Sequence, residues 1–175
     1  MGTVLSEQRV AAYRRDGFVH PIRIMSADEA RVLRGRFEAL EAEIGAEAQT
    51  RFKIKAHLPF PWLTALIRNP VMLDAVEDLI GPDILCWGSS FFTKKARDPR
   101  FVSWHQDSTY YGLRPAETVT TWVAFSASTV ASGCVRFIPG THGDGLIDHA
   151  ETRDEDNLLM RGQTIDDVDA AAAVD

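Results

Sequence analysis

The sequence predicts an α+β protein, and three observations carry that expectation. The first half shows apolar residues at spacings of three and four, bracketed by residues that cap helices. From Asp83 onward, runs of β-branched and aromatic residues separated by turn residues replace that pattern. The change falls at Gly81-Pro82, where a helix cannot continue.

In chain order, Leu5 to Arg15 predicts a short helix closed by Asp16-Gly17. Ser26-Ala27-Asp28-Glu29 reads as a capping box, with Ser26 as N-cap and Glu29 reaching back to its amide. Ala30, Leu33, Phe37, Leu40 and Ile44 then form one apolar stripe, stopped by Gly45. Asn69-Pro70 predicts another helix start. Met72, Leu73, Val76, Leu79 and Ile80 supply its apolar face, and Gly81 ends it.

On the β side, Asp83–Thr93 predicts a strand and Lys94–Arg100 a charged loop. Val102–Asp107, Val119–Phe125 and Val135–Ile138 predict further strands, the last ended by Pro139-Gly140. Asp148 to Asn157 is an acidic, loop-like stretch. The whole chain, 1–175, is expected to be one domain, helical to about residue 82 and β-rich beyond it.

Composition narrows the function. The 175 residues are 45% hydrophobic, enough for a packed core. A formal net charge of -6 argues against nucleic acid, which asks for a basic face. No apolar run approaches a membrane span, and MGTVLSEQRV carries no secretory pattern. Gly2 and Ser6 fit a loose myristoylation pattern, read here as coincidence. Cys86 and Cys134 lie in apolar runs and read as reduced, small core residues, so a cytoplasmic protein is expected.

The chemistry sits in WHQDSTYYGL, Trp104–Leu113. On a strand, residues i and i+2 share a face, so His105 and Asp107 would present an imidazole and a carboxylate side by side. Such a pair makes two corners of a 2-His-1-carboxylate iron site. The same three letters also describe an ordinary solvated His-Asp pair.

The context of the motif decides between them. WHQDSTYYGL, then VTTWVAF, then SGCVRFIPGTHG, preceded by YRRDGFV and DLIGPDI, resembles the phytanoyl-CoA dioxygenase family from about Glu7 to Gln163. The resemblance implies a double-stranded β-helix, the cupin-like jelly roll, with the helical N-terminal half packed on it and the roll incomplete in this chain. It implies Fe(II) held by His105 and Asp107, 2-oxoglutarate as cosubstrate and ascorbate as possible reductant. Trp122 matches a tryptophan near the cosubstrate, and Lys55 is a candidate contact to its carboxylate, with Lys53 close behind. Cosubstrate decarboxylation to succinate would drive hydroxylation of a small molecule. Related halogenases carry a small residue where this chain has Asp107, so hydroxylation is favoured over halogenation.

The family pattern continues with a distal histidine and a cosubstrate-binding arginine, and neither is recognisable before Asp175. His20, His57 and His142 are poor substitutes for the third ligand, and His149 is the least implausible of the four. The alternative expectation is therefore a catalytically inactive remnant that binds a metal or a partner. A cupin-like hydrolase or isomerase on another metal ranks third. An incomplete roll would expose strand edges through which two chains could form a homodimer.

Overall fold

The computed structural model describes residues 4–45, 48–115, 117–159 and 163–175; Gly2 lies outside them. The expected mixture of helix and strand is present. Five helices precede Gly81: α1 (Glu7–Asp16), α2 (Ala27–Ile44), α3 (Ala48–Arg51), α4 (Pro61–Ile67) and α5 (Pro70–Ile80). A sixth, α6 (Ser108–Tyr111), is followed by β1 (Ala150–Glu151) and β2 (Gln163–Thr164).

The described residues group into two compact units. The first takes Met1–Val10, His20–Thr93 and Trp122–Ser128. Its helices start where local chemistry directs. The Ser26 hydroxyl accepts from Glu29 N–H, and the Glu29 carboxylate accepts from Ser26 N–H at 2.7 Å, so the capping box is complete. Asn69 caps α5 by accepting from Met72 N–H at 3.1 Å while its side-chain amide donates to the Ile24 carbonyl at 3.0 Å. Gly45 and Gly81 close α2 and α5 at positive φ.

The α2 stripe faces inward as its spacing requires. Phe37 is buried, with Ala48, Ala56, Leu63 and Phe91, in a cluster flanked by Leu40, Ile44, Phe52, Phe60, Trp62, Leu66 and Phe125. The Phe37 and Phe91 ring centroids stand 4.6 Å apart. On α5, Met72, Ala75 and Val76 are buried, but Ile80 is 48% exposed at the helix end. At the start of this unit, Val4 and Leu5 N–H both donate to the Asp78 carboxylate.

The second unit takes Ala11–Val19, Lys94–Thr121 and Thr129–Asp175. Here β1 and β2 pair antiparallel, Ala150 opposite Thr164 and Glu151 opposite Gln163. Lone bridges join Phe101 to Asn157 and Phe137 to Val174. The end of α1 is held by the Pro139-Gly140 turn: Gly140 N–H donates to the Asp16 carbonyl at 2.9 Å, and His142 Nε2 donates to the Arg14 carbonyl at 3.1 Å. Gly17 lies so close under the His142 ring that a Cβ there would stand 2.5 Å from Nδ1. Phe18 and Phe137 stack beside this contact at 4.7 Å.

Several local expectations are corrected. Asp83–Thr93, Val102–Asp107, Val119–Phe125 and Val135–Ile138 form no ladder among the described residues. Ser89 makes a single parallel bridge with Lys55, and Phe137 the one with Val174. β-rich composition marks chain that suits a sheet, but a ladder needs a second backbone in register, which composition does not specify. The one two-stranded sheet and three bridges described fall short of a double-stranded β-helix. Cys86 is exposed rather than a core residue, and Cys134 is half-buried; both are free thiols.

Candidate functional site

His105 and Asp107 come together, though not on a strand. Asp107 has helical backbone angles (φ −57, ψ −38) and stands at the N-cap of α6. The chain therefore turns between the two residues, and the turn rather than a pleat points both side chains to one place. His105 Nε2 lies 3.1 Å from Asp107 Oδ1.

Each side chain is held by a second partner. His105 Nδ1 lies 2.8 Å from the Ser103 carbonyl, which can only accept, so Nδ1 carries the proton. Ser103 is itself fixed, its hydroxyl donating to the Gln163 carbonyl at 2.6 Å and accepting from the Asn157 amide at 3.0 Å. The Thr120 hydroxyl donates to Asp107 Oδ2 at 2.5 Å, and the Tyr111 hydroxyl also reaches this carboxylate.

With Nδ1 protonated, the Nε2 lone pair of a neutral His105 faces a carboxylate oxygen. Two lone pairs at 3.1 Å repel unless a positive species lies between them. A proton is one such species. Burial opposes charge on the ring, but the Asp107 side chain and the Ser103 carbonyl outweigh it and lift His105 above its ordinary value. Asp107 is held below the usual carboxylate range, first by the His105 ring, against its own burial, and then by the Thr120 hydroxyl. Burial and the Asp107 charge raise Tyr110 and Tyr111, keeping both phenols protonated.

A divalent cation is the other species. Two cis ligands of an octahedral ion, each at about 2.1 Å, stand roughly 3 Å apart. The pair has that separation, one nitrogen and one oxygen donor, and a histidine whose far nitrogen donates to a backbone carbonyl, the usual outer partner of a metal-bound imidazole. The residues present fit two positions of a metal site. Among the described residues no group of three or more His, Cys, Asp or Glu comes together to complete it.

The other histidines are engaged elsewhere. His142 is bound to the Arg14 carbonyl. His57, in the first unit, is buried with Nδ1 2.8 Å from the Ser89 hydroxyl. His149 does approach the pair, and Tyr110 stands edge-on to both His105 and His149, at 5.8 and 6.4 Å. Yet both its nitrogens are occupied: Nε2 accepts from Gln106 N–H at 2.9 Å, and Nδ1 donates to the Ile147 carbonyl at 2.8 Å. The Tyr110 hydroxyl is buried here without a hydrogen-bond partner among the described residues.

Lys55 and Trp122 belong to the first unit, whereas His105 and Asp107 belong to the second. Lys55 is exposed, and its backbone forms the bridge with Ser89. Trp122 is 49% exposed. Burial lowers Lys53 below an ordinary lysine. In the basic loop, Arg100 is paired with Asp98, whose carboxyl the Arg100 guanidinium pulls down to about 2. Residues that the sequence did not single out, Ser103, Thr120 and Tyr111, orient the pair, although Tyr111 lay in the quoted WHQDSTYYGL and Thr120 in the β-run VTTWVAF.

Comparison with known proteins places the chain in a class. Residues 13–172 match the model of the family described as phytanoyl-CoA dioxygenase. The chain belongs to that family, whose fold is cupin-like. It is 25% identical to a probable phytanoyl-CoA dioxygenase of Caenorhabditis elegans, over 97% of this chain and 63% of that protein. It is 24% identical to an ectoine dioxygenase of Bordetella parapertussis, over 79% of this chain and 50% of the relative. A shorter stretch, 26% of this chain and 16% of the relative, is 44% identical to a phytanoyl-CoA dioxygenase domain-containing protein 1 homolog of Dictyostelium discoideum. The chain thus spans less than two thirds of each of these relatives. No solved structure matches. Among the described residues, no helix is long and apolar enough to cross a membrane.

Proposed function

We propose that this chain carries the iron-binding front of an oxygenase that depends on non-haem Fe(II) and 2-oxoglutarate and hydroxylates a small molecule. The observation that carries the proposal is the His105 Nε2–Asp107 Oδ1 pair at 3.1 Å, with His105 Nδ1 committed to Ser103. Bound there, Fe(II) with 2-oxoglutarate would supply the dioxygen activation that oxidation of an unactivated C–H bond needs. The chain's own residues prepare the site. Ser103 sets the tautomer and tilt of His105, and Thr120 and Tyr111 keep Asp107 ionised. Lys55 and Trp122 are proposed as cosubstrate contacts, within a fold completed as a double-stranded β-helix. Ascorbate is the proposed reductant, and the cytoplasm the proposed location.

The relatives are named for two chemically unlike substrates, a fatty acyl thioester and ectoine, so the proposal stops at a small molecule. A second reading is a metal- or partner-binding remnant of the same fold, with association of two chains through exposed edges. What favours it is the absence, among the described residues, of a third ligand beside the pair.

Anaerobic titration with Fe(II) and 2-oxoglutarate separates the two readings. A visible charge-transfer band abolished by His105→Ala, with oxygen uptake that requires 2-oxoglutarate, supports the oxygenase. Metal binding without either signal supports the remnant.

A further inference from the structure

We infer that His149 is a positioning residue for the His105–Asp107 pair and not its third ligand, an inference that rests on reading that pair as a metal site. The geometry is a closed ring of hydrogen bonds around Gln106, the residue between the two ligands. Gln106 N–H donates to His149 Nε2 at 2.9 Å. His149 Nδ1 donates to the Ile147 carbonyl at 2.8 Å. Ile147 N–H donates back to the Gln106 side-chain carbonyl at 2.8 Å, and the Gln106 amide nitrogen reaches the Gly145 carbonyl at 2.9 Å.

The donor and acceptor roles in this ring are forced. A backbone N–H can only donate, so His149 Nε2 spends its lone pair on Gln106. A carbonyl can only accept, so His149 Nδ1 holds the proton. Neither nitrogen has a lone pair left for a cation. What His149 does instead is pin the peptide that joins the ligands. The directions of the His105 and Asp107 side chains depend on the turn at Gln106, and the turn is grasped at both its main chain and its side chain by the single segment 145–149. The edge of the Tyr110 ring against both imidazoles adds a packing restraint from the other side. A pair held in place before the cation arrives loses less freedom on binding, and outer partners of this kind commonly carry about 10- to 100-fold in metal affinity.

The test uses Co(II) as a spectroscopic stand-in for Fe(II), with hydrogen exchange at the Gln106 amide as a metal-free readout. In the 175-residue chain that amide should be protected. His149→Ala should expose it and weaken Co(II) about 10- to 100-fold, with an unchanged d–d spectrum at saturation. His149→Gln places an acceptor oxygen at similar reach, so it should restore most of both. A changed spectrum in His149→Gln, with no recovery of affinity, would make His149 a ligand and overturn the inference. Unchanged affinity in His149→Ala would also overturn it, as would an unprotected Gln106 amide in the wild type. If His149→Ala does not fold, the His149→Gln spectrum and the wild-type exchange still decide. Absence of Co(II) binding by the wild type, with the Gln106 amide protected, would instead sink the metal reading, and the positioning role with it.

Discussion

Thr120 donates its hydroxyl to Asp107 Oδ2 at 2.5 Å, while His105 faces Oδ1 of the same carboxylate at 3.1 Å. On the proposed metal reading the two oxygens have separate tasks: Oδ2 is anchored by the protein, and Oδ1 would be presented to the cation. Thr120→Val keeps the shape and removes the anchor. We expect about tenfold weaker Co(II) binding with little change in melting temperature, checked by calorimetric titration. Equal affinity in the variant would show that the anchor is dispensable.

The charge balance of the pair predicts opposite pH behaviour for metal binding and for metal-free stability. Because His105 is raised in the folded protein, its stabilising share is complete below the ordinary 6.5 and is lost as pH rises through the raised value. Asp107 is depressed, so its share is present above 3.8 and is lost as pH falls through the lowered value. The pair therefore helps the metal-free protein most between 3.8 and 6.5. Co(II) must displace the shared proton, so its affinity should fall about tenfold per pH unit below the raised His105 value. Urea midpoints and Co(II) titrations across pH test both halves.

Gly17 and His142 make a contact that admits no side chain. Gly17 sits at φ +88, and a Cβ would meet the His142 ring at 2.5 Å. Gly17→Ala should cost roughly 1–3 kcal/mol in urea unfolding. His142→Ala removes the clash but also the bond to the Arg14 carbonyl, so the double variant should be more stable than the sum of the two losses predicts. Simple additivity would mean that the ring and the glycine are not in contact.

Tyr110 hides a hydroxyl without a hydrogen-bond partner among the described residues. Tyr110→Phe keeps the ring against both histidines and deletes the unsatisfied group, so it should be neutral or stabilising by about 1 kcal/mol. A clear loss of stability would reveal a partner for that oxygen.

The two helix caps should differ in cost. Ser26 is an exposed cap whose bonds stay within its own box. Asn69 is half-buried and bonds both Met72 N–H and the Ile24 carbonyl. Ser26→Ala should cost about 1 kcal/mol, and Asn69→Ala nearer 2 kcal/mol, by thermal or urea unfolding.

The sequence by itself determined whatever is encoded within a few residues. Ser26 with Glu29, Asn69 with Pro70, and the closing glycines 45 and 81 act on the nearest turn of backbone, so they could be read directly. The stripe from Ala30 to Ile44 points inward because a helix has one period. The wording around His105 and Asp107 was enough to indicate the family. Tertiary structure alone decided what requires a partner from far along the chain. The β-rich runs formed no ladder among the described residues, whereas Ala150, in a stretch that reads as loop, pairs with Thr164 because that backbone lies in register. His105 and Asp107 meet through a turn into α6 rather than along a strand, and that turn is held by His149, 43 residues away. Hydrogen bonds of that span leave no periodic trace in sequence, because they depend on where two segments come to rest, not on what either would do alone.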